Sequence, residues 1–199
     1  MNTIITIGRE FGSGGREFGR RLAEELHFEY YDKEIVEAIS KHTSLSEEYV
    51  QQVIESAPHP LFPITIGQSM SYTENYQMHQ IQKVYQAQCE IIKDLASKSN
   101  CVIVGRCADY ILRDREDCLK VFLYADEETK ENRIQEIYGE AGLKLKNRVK
   151  DMDVRRGLNY KYFTGQDWGK AQNYDMALNR GSLGVEKCAQ LIVEAALGE

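Results

Sequence analysis

The chain is short of the features that mark several classes of protein. Its only prolines, Pro58, Pro60 and Pro63, fall within six residues of one another, so no other segment meets the ring that interrupts helices. Five cysteines, Cys89, Cys101, Cys107, Cys118 and Cys188, are odd in number and include no C-x-x-C pair. They fit reduced thiols in or near a core better than a disulfide framework or a zinc site. No basic region followed by a long apolar segment and a small-residue cleavage site stands at the N-terminus, so a cytoplasmic location is expected. The longest stretch without Asp, Glu, Lys or Arg, residues 56–73, holds all three prolines with His59, Gly67 and Gln68, and reads as a loop, not a membrane span. Positive charge is in deficit: 25 Lys and Arg face 31 Asp and Glu, a net charge of −6. A general nucleic-acid or acidic-membrane binder is thereby disfavoured, and any anion site has to be local. No internal repeat or low-complexity tract is present.

What remains is enough for one substantial core: 199 residues, 42% of them apolar, fit a single domain with a lid. Ile4, Ile5 and Ile7 form a β-branched run that empties into Gly8-Arg9-Glu10-Phe11-Gly12-Ser13-Gly14-Gly15. Phe18, Leu22 and Leu26 then recur every four residues, with Arg20, Arg21, Glu24 and Glu25 on the other face. A strand, a glycine turn and a helix start in that order leave backbone amides free to cradle phosphate, aided by the helix dipole. A tight turn that only packs helix on strand explains the glycines as well. The standard loop G-x-x-x-x-G-K-[ST] is not satisfied in any register. In the best one Arg9 stands at the first glycine, Gly14 matches the second, and Gly15 and Arg16 replace the lysine and the hydroxyl residue.

Further along, helical pattern flanks the proline loop (Ile35, Val36, Ile39, Leu45, Tyr49, Val50, Val53 and Ile54 before it; Ile81, Val84, Tyr85, Ile91, Ile92 and Leu95 after it) and implies a helical insert over about 35–99, including an amphipathic helix from about Thr73 to Ser97. Strands are expected around Phe28–Tyr31, at Val102–Val104, at Leu119–Leu123 and at Tyr174–Leu178. Helices should run from an Asp126 cap to about Tyr138 and from about Ser182 to Leu197. Strands alternating with helices give an α/β fold, a parallel sheet with helices on both faces, which binds ligands outside the carboxyl ends of its strands. That rule gathers Gly12–Gly15, Asp32, Gly105 and Arg106 on one crevice. Arg106, a charged fork directly after a buried strand, can hold a phosphate or carboxylate bidentately, or pair with Asp109 or Asp32. Asp32 can bind substrate or reach Mg²⁺ through water, or simply cap the helix before Ile35.

Residues 144–161 reverse the charge: Lys144, Lys146, Arg148, Lys150, Arg155, Arg156 and Lys161 against Asp151 and Asp153, a local +5. The first four read equally well as a solvated helix face. Arg155 and Arg156 adjoin Gly157 and the aromatic run Tyr160, Tyr162, Phe163 and Trp168, which suggests a mobile element closing over an anionic ligand.

The elements ITIGREFGSGGREFGRRLAEEL, YYDKE, VIVGRCADYIL, RR-G-x-x-Y-K-Y-F-T-G-x-x-W-G and NYDMALN, in this order and spacing, resemble the cytidylate kinase-like family of P-loop proteins. The resemblance implies a nucleoside-monophosphate-kinase fold: a five-stranded parallel sheet, core about 1–34, 100–140 and 172–199, an NMP-binding helical insert, and a lid over about 141–171. It implies ATP and Mg²⁺ as cofactors and a nucleotide with a small phosphorylated acceptor as partners, with no nucleic acid and no membrane. Gly12, Ser13, Gly14, Gly15, Arg16 and Glu17 would face the ATP phosphates. Asp32, Lys33, Arg106, Asp109 and Lys161 are the acceptor-side candidates, and Arg16, Arg106, Arg155 and Arg156 the catalytic ones; no residue is assigned as a metal ligand. Departures fall on positions that carry chemistry. Gly15 replaces the loop lysine, Cys107 the acidic residue after G-R, and Lys33, Glu37 and Ala38 stand where the family places a Ser, a Tyr and an Arg. Arg16 or Arg9 is expected to supply the missing loop charge and Asp109 the missing carboxylate. The oligomeric state is not legible in the sequence.

Overall fold

The computed structural model describes residues 3–55, 71–139 and 143–198; the proline-rich stretch lies outside them. Five strands, β1 (Ile4–Arg9), β2 (Glu29–Tyr31), β3 (Cys101–Val104), β4 (Cys118–Tyr124) and β5 (Met176–Asn179), form one sheet in the order β2-β3-β1-β4-β5. Every pairing is parallel, with β1 central, Ile5 opposite Val102 on one side and Leu119 on the other. Ile4, Ile5, Ile7 and Val102–Val104 are fully buried, as a strand covered on both faces requires.

Alternation along the strands sends their side chains into two cores. Ile5, Ile7, Val102, Val104, Val121 and Leu123 pack with Phe18 and Leu22 of α1 (Gly15–Leu26) and with Cys188 and Ile192 of α8 (Arg180–Leu197). Ile4, Cys101 and Ile103 face the other way, onto α2 (Lys33–Thr43), α3 (Glu47–Glu55), α4 (Ser71–Lys98) and the single turn α5 (Ala108–Ile111). Each fully buried Ile or Leu contributes about 1.5–3 kcal/mol of transfer free energy, so the two cores fix the sheet between its helix layers. Helices α6 (Glu127–Tyr138) and α7 (Leu143–Thr164) lie between β4 and β5 in the chain; Ile134, Leu145 and Val149 pack between them.

Asp126 caps α6 by accepting from the Thr129 amide. Helix α8 begins at Arg180, two residues before the position expected from its apolar pattern, because Asn179 accepts from the amides of Gly181 and Ser182, and Gly184 then interrupts the helical angles. Four cysteines are buried and Cys89 partly so, all as free thiols. Among the described residues no helix is long and apolar enough to cross a membrane.

Candidate active site

At the carboxyl edge of the sheet β1 runs into the glycine turn, and Gly14 stands at the N-cap of α1 with φ 77°, a conformation that costs glycine nothing and other residues roughly 1–2 kcal/mol. The turn is braced from both sides. The buried Ser13 hydroxyl donates to the Glu10 carbonyl at 2.9 Å, and Arg180 Nη1 donates to the Ser13 carbonyl at 3.0 Å. Any side chain on Gly14 would also strike the guanidinium groups of Arg133 and Arg180, which lie 2.8 and 2.9 Å from where its Cβ would stand. Arg133 pairs with Glu17, whose carboxyl is held below its ordinary range by that hydrogen bond. Two cations thus overhang the turn, and the Glu17 carboxylate faces Arg133.

Beside the turn, a cleft is lined by Arg9, Arg106 and Arg156 together with Gln88, Asn159, Tyr85 and Phe163. Gly105, Arg106 and Cys107 are three consecutive residues with φ of 73°, 59° and 53°. Two of them are non-glycine, a departure costing of order 1–3 kcal/mol each that persists where surrounding contacts over-determine it. Those contacts are visible: Gln88 Nε2 donates to the Arg106 carbonyl at 2.8 Å, and the buried Arg106 guanidinium reaches Gln51 Oε1 at 3.4 Å and Asp32 Oδ1 at 3.7 Å. Arg106 is therefore paired with Asp32, as one reading of its position allowed, while still lining the cleft. Burial pushes its guanidinium below its ordinary pKa, with Asp32 opposing. Asp32 makes no side-chain cap to α2; its Oδ2 accepts from Arg16 Nε at 2.7 Å. One buried carboxylate thus sits between Arg16 and Arg106.

Helix α7 is fastened across the glycine turn. The Phe11 amide donates to Asp153 Oδ1 at 2.6 Å, and Arg156 Nη1 donates to the Arg9 carbonyl at 3.1 Å while its guanidinium lies over the Phe11 ring. Lys130 on α6 bridges Glu10 at 3.0 Å and Asp153 at 3.6 Å.

The remaining sequence candidates are spread out. Arg155 is exposed on α7. Lys161 pairs with Asp167 at 2.6 Å away from the cleft. Lys33 lines a shallow surface groove with Arg16, Glu17 and Arg20. Asp109 lines the cleft, and its Oδ2 accepts from the Tyr160 hydroxyl at 2.7 Å. Among the described residues no three His, Cys, Asp or Glu side chains gather as metal ligands.

Gln88, Asn159, Arg133 and Arg180 escaped the sequence reading. Arg180 had a usable signal, a basic residue directly after a strand; Arg133 on a mostly polar helix looks like any solvated charge. Chemically, turn amides and cations beside an arginine-rich cleft can hold two anionic groups side by side.

Known structures share this fold. An uncharacterized protein from Eubacterium ventriosum aligns with a TM-score of 0.74, 26% identity and all of both chains covered. Shikimate kinase from Acinetobacter baumannii aligns at 0.53 with 14% identity, covering 100% of this chain and 94% of the kinase. A gluconokinase from Sinorhizobium meliloti aligns at 0.54 with 13% identity, covering 99% and 94%. The latter two likenesses establish the P-loop kinase fold. No curated protein matches the chain by sequence. Residues 4–182 match the cytidylate kinase-like family, and with nine-tenths of its length so matched the chain belongs to that family.

Proposed function

We propose that the protein transfers the γ-phosphoryl group of ATP, with Mg²⁺, to a small phosphorylated acceptor, a nucleoside monophosphate. The observation that carries this reading is the shared wall between turn and cleft: Gly12–Gly15 ends one strand, and Arg106 follows its direct neighbour in the sheet. In phosphoryl transfer the protein mainly aligns two anionic groups and neutralises spreading charge. The turn amides with Arg133 and Arg180 suit the ATP phosphates, and the buried Arg180 Nε, without a partner among the described residues, fits an anion there. Arg106, whose Nε is likewise buried and unpartnered among the described residues, suits the acceptor phosphate. Tyr85 and Phe163, stacked at 4.1 Å, and the amides of Gln88 and Asn159 offer flat apolar faces and hydrogen-bonding groups to a planar base. Arg156, which lines the cleft, serves as the lid arginine, and Lys33 stands on the neighbouring groove with Arg16 and Asp32; Arg155, exposed, and Lys161, paired with Asp167, take no role in this reading. Mg²⁺ would be held chiefly by phosphate oxygens, supplying further neutralisation.

The test is ADP release across a panel of nucleoside and deoxynucleoside monophosphates and hydroxylated acids. Turnover with at least one monophosphate is expected. Arg106→Lys keeps the charge but loses the bidentate fork, and should lower kcat/KM for that acceptor by roughly 10–100-fold with ATP binding unchanged. Gly15 favours a second reading, a nucleotide-binding protein that has lost catalysis; nucleotide binding without transfer to any acceptor would select it.

A further inference from the structure

The cation missing from position 15 has a visible reason for its absence. The stem of Arg9 crosses the start of α1, so that a Cβ on Gly15 would lie 2.6 Å from Arg9 Cβ and 2.7 Å from Arg9 Cγ. Real Cβ atoms essentially never come so close, and no lysine fits there while Arg9 keeps this path. Beyond the stem, the Arg9 guanidinium lies directly against Gly105, in the gap between the glycine turn and the cleft. Its Nε is buried with no hydrogen-bond partner among the described residues. Around it stand Arg156, Arg106 and Arg16, opposed by Asp32. Burial first, then the neighbouring arginines, lower its pKa to about 9, so it remains cationic at neutral pH. Arg16, the alternative substitute, is turned to Asp32 at 2.7 Å with its side chain half exposed.

We propose that Arg9 is the catalytic cation of this turn, replacing the lysine by reaching from the motif's first position into the gap between donor and acceptor. The proposal rests on the phosphotransferase reading. In the step it serves, the bond from the γ-phosphorus to the β,γ-bridging oxygen breaks as a bond to an acceptor phosphate oxygen forms, leaving ADP and the phosphorylated acceptor. Arg9 neutralises the oxygens of the migrating group. A cation held among three others with one shared carboxylate is poorly placed for stability and well placed for an incoming anion.

The exchange can be made in both directions. Arg9→Met keeps an unbranched stem over Gly15 and removes the charge; Arg9→Gln is a second neutral variant. Gly15→Lys inserts the standard lysine against the Arg9 stem, and Arg9→Gly with Gly15→Lys restores the motif's first glycine and its lysine, Arg16 still standing at the hydroxyl position. Each is measured for melting temperature without nucleotide, for calorimetric affinity toward ADP and a non-hydrolysable ATP analogue, and for turnover. The neutral variants should melt at or above the wild-type temperature yet lose at least tenfold of the preference for triphosphate over diphosphate. Gly15→Lys alone should melt lower and bind both nucleotides worse, and the double replacement should regain the preference. The proposal is overturned if the wild type shows no such preference, if the neutral variants keep it, or if the double replacement does no better than Gly15→Lys. A wild type that shows the preference but phosphorylates no acceptor sinks the phosphotransferase reading alone, because the binding ratio still tests Arg9.

Discussion

Asp109 is buried against the Tyr160 hydroxyl, and desolvation lifts its carboxyl above the ordinary carboxylate pKa, with that hydrogen bond opposing. A carboxyl raised in the folded state favours folding while protonated. Its contribution is complete below the unfolded value near 4 and is lost as pH rises through the folded value. Asp109→Asn keeps an acceptor for Tyr160 and cannot ionise, so its stability relative to wild type should improve as pH climbs from about 4 toward neutrality. Urea unfolding at several pH values checks this; a difference that does not change with pH contradicts it. Their places directly after strands marked Arg106 and Asp32 as candidates, since charged groups there are poorly explained by packing; Asp109 was a candidate as a substitute for the carboxylate that the family places after G-R. The Arg106–Asp32 pair was one reading of the sequence, but the Arg16 contact was not: Asp32 reads there as a substrate group or a helix cap, and only the fold brings Arg16 within 2.7 Å of it.

At the scale of elements, α7 is joined to the glycine turn through Asp153, which accepts from the Phe11 amide and faces Lys130. Asp153→Ala frees that amide and leaves the buried Lys130 with Glu10 alone. A hydrogen bond to a charged group contributes about 1.5–3 kcal/mol, so a loss of that order is expected in denaturant unfolding. Faster hydrogen exchange at Phe11 should accompany it, and unchanged exchange would show that the turn holds its shape without α7. Periodicity placed β3, β4 and α6 within a residue or so, because buried runs and a capping aspartate are local signals. Within residues 144–161 the sequence set Arg155 and Arg156 apart as ligand-facing, but it did not single out Asp153, which turns inward, nor show that Arg155 stays exposed. A helix of weak amphipathicity does not declare which face meets its neighbour, and that contact is made with a turn more than 140 residues earlier in the chain.

For the whole molecule, the net charge of −6 coexists with one strongly cationic cleft. Arg16, Arg106 and Arg156 act on Arg9 with Asp32 as the opposing charge, and the folded protein carries the arginines' repulsion until an anion arrives. A ligand that binds only the folded state stabilises it by RT ln(1 + [L]/Kd), about 2.7 kcal/mol at a hundred times Kd. ATP with Mg²⁺ should therefore raise the melting temperature by several degrees, and a nucleoside monophosphate added with ADP should raise it further by filling the cleft. A thermal-shift titration checks both, and failure of either nucleotide to move the transition contradicts the corresponding half of the site.

The sequence by itself determined the alternation of strands and helices, the parallel sheet and the strand-end residues facing one crevice, since each follows from local periodicity, β-branched runs and glycines that free a turn. It also exposed the gap where the loop lysine should be. Only the tertiary structure decided how that gap is filled. Whether Arg9 or Arg16 enters the cleft depends on which stem crosses Gly15 and which guanidinium finds Asp32, and those are distances between elements that no local pattern encodes.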